Sequence, residues 1–233
     1  MLLLPAHWLR LQMNSGTLNN VFTGLLCASA LVIAGILVRR EFVHAEPKAT
    51  EASTQVSNWR DFAHGQALEP SGNPVTLIIF SDYQCPFCRT LAARLDTVRI
   101  KFPHQLSIYY RNTPIPSHRF ARAAAYAAEC AGRVGLFPNA HRALFEESDS
   151  LGIQSWGRFA SRIGMRDTTA FAVCVRDSLP LTVVQQDEID AKRLGIHSTP
   201  SFLVNDEFVR GAPSLDQLSA LIERHGKPTP GAR

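Results

Sequence analysis

Cys85 and Cys88 are separated by two residues in the run Ser81-Asp82-Tyr83-Gln84-Cys85-Pro86-Phe87-Cys88. Such a pair either exchanges disulfides with other thiols or offers two soft ligands to a metal. Its place on the chain discriminates between these. Upstream, Val75 to Phe80 (VTLIIF) is a short apolar run rich in β-formers and bounded by Ser71-Gly72-Asn73-Pro74, which reads as a fully buried strand. Downstream, from Pro86 to about Phe102, Leu91, Leu95, Val98 and Phe102 recur at spacings of three and four, one face of a helix that Pro103 ends. The pair therefore falls where a strand passes into a helix. A Cys85 sulfur at the first turn faces unpaired backbone N–H groups and the positive end of the helix dipole, and both favour thiolate, the attacking species. Pro86 suits the first helical position, where its missing N–H is no loss, and Cys88 lies on the same face one turn on, placed to resolve a mixed disulfide made by Cys85. As a structural metal site the pair would be half of a four-thiolate set completed by, for example, Cys130 and Cys174, with both sulfurs locked away.

The remaining pattern supplies the elements that hold the pair. Gln105 to Arg111 (QLSIYYR) alternates as a strand, so the unit is strand, helix, strand, with parallel pairing implied. A helix-favouring Ala-rich stretch from Ser117 to Ala131 follows, then helices near 137–147, 154–163, 168–177 and 180–194, with no strand signal among them. Ser201 to Asn205 and Glu207 to Arg210 read as a hairpin about Asn205-Asp206, and Leu215 to His225 as a closing helix. This is an α/β order, β-α-β, a helical block over about 117–194, then β-β-α, with the folded domain expected over 58–227 and a tail at 228–233.

The net charge of +4 over 233 residues, with scattered basic residues, gives no nucleic-acid footprint. After an N-terminal segment, 1–20, residues 21–38 carry no charge and just reach across a hydrocarbon core of about 30 Å. They read as a transmembrane anchor or a signal segment. Arg39, Arg40 and Glu41 follow at once, and the Val43-His44-Ala45 site beyond is mediocre for cleavage, so an uncleaved anchor is expected, with residues 39–57 as a polar flexible linker. Arg39 and Arg40 outnumber Arg10 and by themselves would hold the domain in the cytoplasm. The redox argument outweighs two charges and places it outside.

From Phe80 to Cys88 the sequence F-S-D-Y-Q-C-P-F-C resembles the DsbA-like thioredoxin-fold proteins. The resemblance continues through A-A-E-C-A-G at 127–132, G-L-F-P-N-A-H-R-A-L-F at 135–145 and T-P-S-F-L-V-N at 199–205, covering roughly residues 70–225. It implies a thioredoxin fold with an inserted helical subdomain, catalysis by Cys85 and Cys88, and an active-site loop in which Pro200 is cis and, with Thr199, faces the pair, while Pro86 and Phe87 lie between the cysteines. One departure stands out: family members often carry a buried carboxylate six residues before the first cysteine, where this chain has Ile79. Asp82 could substitute, though a turn-capping role suits it better.

Cys130 and Cys174 fall on different expected helices, and an oxidising compartment would tend to join them. His104, His118, His141 and His197 lack ligand-like spacing and read as surface or packing residues. The expected activity is thiol–disulfide exchange with secreted polypeptides, as an oxidase or else an isomerase or reductase, with protein thiols or disulfides and a membrane redox protein as partners and no cofactor or metal. The alternative is a copper- or zinc-handling protein using Cys85 and Cys88 as ligands, although the Met or His cluster such a protein would use is missing.

Overall fold

The computed structural model describes residues 54–227, together with residues 25, 26, 28 and 31–33. The anchor expected at 21–38 thus lies largely outside the described residues, as do residues 1–20 and 228–233. The described positions within the anchor are helical and exposed. Among the described residues no helix is long and apolar enough to cross a membrane.

The folded unit is built on six strands: β1 (Thr54–Gln55), β2 (Gln66–Glu69), β3 (Val75–Ser81), β4 (Leu106–Asn112), β5 (Ser201–Val204) and β6 (Glu207–Arg210). They form one sheet in the order β1-β6-β5-β3-β4-β2, in which β3 and β4 run parallel and the other pairs antiparallel. All seven residues of β3 are buried because both faces of the sheet are covered. Leu77 and Ile79 pack into the larger layer, with helix α1 (Pro86–Lys101) through Leu91, Leu95 and Val98, and with α7 (Leu215–His225) through Leu218 and Ile222. Ile78 and Phe80 point the other way, onto Phe62, Ala191, Ile196, Leu203 and Phe208. A run apolar at every position is the sequence signature of this two-sided burial, and each such side chain contributes about 1.5–3 kcal/mol.

Between β4 and β5 the chain forms α2 (Ala121–Gly132), α3 (Phe137–Glu146), α4 (Trp156–Arg162), α5 (Thr168–Arg176) and α6 (Leu181–Arg193). A disulfide joins Cys130 on α2 to Cys174 on α5, with Cα atoms 6.1 Å apart. A buried polar seam ties this block to the sheet. Arg111 on β4 is fully buried and donates from Nε to Asp187 Oδ1 at 2.5 Å and from Nη2 to Asp190 Oδ2 at 2.6 Å, both on α6. Beside it, Asn112 and Gln66 donate to the two oxygens of Glu129 on α2, at 2.7 and 2.8 Å.

Two strands depart from expectation. The linker expected over 39–57 gives way to structure before its end: Thr54 and Gln55 pair with Phe208 and Glu207, and the Val56 N–H donates to Asp206 O at 2.7 Å, so the ordered domain begins ahead of Asn58. Both β1 residues are exposed and polar. Their pairing is made by backbone groups, which side-chain periodicity does not report. Strand β2 is a second edge strand, paired to β4 across an irregularity between Ala67 and Glu69 and burying only Leu68, so it too carries little alternation.

Candidate active site

Cys85 is the N-cap of α1, with extended backbone (φ −79°, ψ 122°), and Pro86 takes the first helical position. The structure thus places the pair where strand becomes helix. Cys85 is 4% exposed and Cys88 1%, both as free thiols, whereas Phe87 between them is 65% exposed. Loop residues Thr199 and Pro200, 114 positions away from Cys85 in the chain, close over the first sulfur: the Thr199–Pro200 bond is cis, and Cys85 Sγ as a thiol donates to Thr199 O at 3.3 Å.

The two sulfurs have opposite acidities. The Cys85 thiol is lowered to about 5, first because the Cys88 S–H donates to its thiolate, and then because the backbone N–H of Cys88, the Thr199 side chain and the backbone N–H of Phe87 help. These outweigh the penalty of burial. Cys88 goes the other way: burial pushes its thiol far up, and its bond to Cys85 holds the proton on, with the Ser81 hydroxyl and the Asp82 N–H, at 3.5 Å, only partly offsetting. At neutral pH the arrangement is one thiolate beside one thiol, an attacking sulfur with its resolving partner.

The four residues before Cys85 lock the helical block onto the site. Ser81 O accepts from Thr113 N at 2.8 Å. Asp82 Oδ1 accepts from Gln84 N at 2.7 Å, the turn-capping role its position suggests, while Oδ2 accepts from Ile115 N at 2.7 Å and lies 2.8 Å from His118 Nδ1. With three donors on it, this carboxylate is a brace rather than a free base. Gln84 Oε1 accepts from Phe120 N at 2.5 Å, and Tyr83 Oη lies 3.2 Å from His141 Nδ1 on α3.

His141 is a packing residue, as expected, but one placed behind the active-site pair. It is buried in an aromatic cluster behind Cys88, with ring centroids 4.7 Å from Tyr110 and 5.0 Å from Phe145, and Tyr83 stacks on Tyr110 at 5.2 Å. Burial, assisted by Arg99, lowers its imidazole to about 3, so it is neutral. The places of Tyr83 and Tyr110 beside the pair escaped the sequence reading because single aromatics at core spacing look alike. The one available signal was Tyr110 itself, a hydroxyl-bearing residue at an inward position of β4, across from Ile79. Cys130 and Cys174, bonded to each other, are not available to complete a four-thiolate site with Cys85 and Cys88.

A buried central strand delivering a low-pKa cysteine to a helix N-terminus, a second cysteine beneath it and a cis-proline loop across from it define a thiol–disulfide oxidoreductase of the thioredoxin fold. The sequence model of the thioredoxin family matches residues 71–224, and the chain belongs to that family, with the DsbA-like helical insertion. Its fold is similar to a thioredoxin-like oxidoreductase from Silicibacter pomeroyi DSS-3, with a TM-score of 0.62 and 26% identity, covering 75% of this chain and 100% of that one. It is similar also to the thiol-disulfide exchange protein alpha-DsbA2 from Wolbachia pipientis, with a TM-score of 0.64, covering 72% and 92%; at 17% identity this likeness concerns the fold. Among curated proteins it is 35% identical over 153 residues to a Na(+)/H(+) antiporter, NhaA 1, from Mycobacterium sp. (strain KMS), a match that covers 64% of this chain. The chain spans about a quarter of the length of that relative, 25%, so the likeness is to a part of the antiporter.

Proposed function

We propose that the chain is a membrane-anchored, extracytoplasmic oxidase that donates disulfides to exported polypeptides through Cys85 and Cys88, and that a membrane redox protein reoxidises it. The observation that carries this is the acidity of Cys85. A substrate thiolate attacks Cys85 Sγ of the oxidised pair and Cys88 leaves as a thiolate. A second substrate thiolate then attacks the substrate sulfur of the mixed disulfide, forming the substrate disulfide and releasing Cys85 as a thiolate. Two electrons and two protons leave the substrate.

Direction follows from which form of the pair the site stabilises. A sulfur titrating at about 5 favours the dithiol form at pH 7 by about two pH units, roughly 2.7 kcal/mol at about 1.36 kcal/mol per unit. Solvent screening at the open side of the site reduces this to roughly half. At about 30 mV per 1.4 kcal/mol, the disulfide becomes more oxidising by roughly 30–60 mV.

Two further features support the reading. A groove of about 420 Å³ lined by Pro114, Ile115, Ile196 and Thr199 opens beside the Thr199–Pro200 loop, where an extended peptide would reach the first sulfur. The Cys130–Cys174 bond suits an oxidising compartment and so supports placing the domain outside, against the vote of Arg39 and Arg40. Equilibration with glutathione buffers tests the direction: an oxidase lies toward the oxidising end of the family's range, about −120 mV, and a value near about −270 mV would make the chain a reductase.

A further inference from the structure

We propose that the Tyr110 hydroxyl is the hydrogen-bond donor that stabilises the Cys88 thiolate formed during each turnover. The inference rests on the thiol–disulfide reading above and adds a residue to its machinery. Whichever way exchange runs, negative charge arises at Cys88. When an external disulfide R–S–S–R is attacked by Cys85, one R–S⁻ departs and a Cys85–S–S–R bond forms. Cys88 until then donates its proton to the Cys85 sulfur, and it loses that acceptor once Cys85 is in a disulfide. Attack by Cys88 then makes the Cys85–Cys88 bond and breaks the bond to R–S, which leaves with the electron pair and ends with the Cys88 proton. In reverse, an incoming thiolate opens the Cys85–Cys88 bond and the electron pair stays on Cys88.

The surroundings of this sulfur are poor in charge. A tightly packed pocket with no room for a water molecule adjoins it, lined by Ile79, Ser81, Tyr110, His141 and Phe145 among others, with no carboxylate or cationic side chain in its lining among the described residues. Ser81 and the Asp82 N–H already bear on Cys88 in the dithiol form. His141 is held neutral by burial, and its Nδ1 is taken up by Tyr83. Tyr110 is different. Its ring is 1% exposed and its Oη is buried with no hydrogen-bond partner among the described residues. The Ser81 and Tyr83 hydroxyls lie near enough to influence its acidity without completing a bond of good geometry.

A buried hydroxyl left unbonded costs folding free energy, so its place in the resting protein calls for a partner that appears elsewhere in the cycle. The groups facing it select that partner. Cys88 and Asp82 are the acids beside it after Tyr83, and Asp82 is saturated by Gln84, Ile115 and His118. Burial, with Tyr83 and Cys88, keeps the phenol protonated. It can donate to a sulfur anion but not take a proton from it.

The test uses reduced full-length protein, as wild type, Tyr110→Phe and Cys88→Ala, mixed with oxidised glutathione, quenched with acid at intervals and weighed intact. Adduct formation at Cys85, separated from any at Cys27 by peptide mass mapping, reports attack by Cys85, and its decay reports attack by Cys88, which Cys88→Ala abolishes. In Tyr110→Phe, formation keeps the wild-type rate while decay slows by about tenfold to about a hundredfold, the span for losing a hydrogen bond to a charged group. The thermal midpoint of the reduced variant stays level or rises, because the lost hydroxyl bonds nothing at rest. Decay at the wild-type rate overturns the proposal, and so does a lowered midpoint, which would mean the hydroxyl already has a structural partner. If the wild type forms no adduct at all, the oxidoreductase reading itself fails.

Discussion

Replacing Cys88 by Ala should make Cys85 a weaker acid by a margin set by one bond. The Cys88 S–H comes first among the groups that favour the Cys85 thiolate, ahead of the backbone N–H groups of Cys88 and Phe87, which the substitution leaves in place. A hydrogen bond to a charged group is worth about 1.5–3 kcal/mol, and at about 1.36 kcal/mol per pH unit its loss moves the titration up by about one to two pH units. The wild-type midpoint of about 5 should therefore become about 6 to 7, still below the free thiol near about 8.5 because the helix N–H groups remain. The assay is the rate of iodoacetamide labelling against pH, read by mass on the full-length protein. The bonded Cys130 and Cys174 do not react, and labelling at Cys85 is separated from that at Cys27 by peptide mass mapping. A variant midpoint still near 5 would show that the helix terminus alone makes the thiolate, and a wild-type midpoint near the free value would show that the site does not stabilise it.

Three further outcomes follow from the structure. Replacing both Cys130 and Cys174 by Ala opens a loop of 44 residues, which in the chain-entropy model costs about 4 kcal/mol and lowers the thermal midpoint by roughly 8–16 °C while disulfide exchange persists; an unchanged melting curve would refute this. Arg111→Ala leaves Asp187 buried without its cation and Asp190 with only the half-exposed Arg193, and should destabilise by about 3–5 kcal/mol in urea unfolding, whereas a loss under about 1 kcal/mol would mean the seam is not needed to hold the helical block. An export-dependent reporter fused after Arg233 should be active, and activity only of a cytoplasmic reporter would reverse the proposed topology.

What could be read in the sequence was whatever leaves a mark on side-chain order. Val75 to Phe80 announced a central strand because both sheet faces are covered, and Leu91, Leu95 and Val98 announced α1 because a helix shows its buried stripe every three or four residues. The hairpin was legible at Asn205, which adopts φ +50°, a conformation Asn tolerates better than most residues. Cys85 and Cys88 were legible because their chemistry depends on a local junction.

Apart from the Thr199–Pro200 loop that the resemblance implied and the Cys130–Cys174 pairing, contacts between distant positions were not legible. Arg111 meets Asp187 and Asp190 from 76 and 79 residues away, and a lone arginine in an alternating strand gives no sign that it will be buried. Tyr83 and His141 are 58 residues apart, and a histidine on an apolar helix face looks the same whether or not it backs an active site. β1 lay inside the expected linker because its two residues contribute only backbone hydrogen bonds.

The central claim is that Cys85 and Cys88 transfer a disulfide to another protein. The most direct measurement mixes the oxidised full-length protein with a reduced, unfolded polypeptide that natively contains disulfides, and follows thiol loss in the polypeptide and thiol gain at Cys85 and Cys88 by alkylation and mass. The account predicts matched transfer of one disulfide per pair, lost in Cys85→Ala and in Cys88→Ala, neither of which can hold the transferable disulfide. No transfer by the wild type, or transfer that survives loss of Cys85, would contradict it.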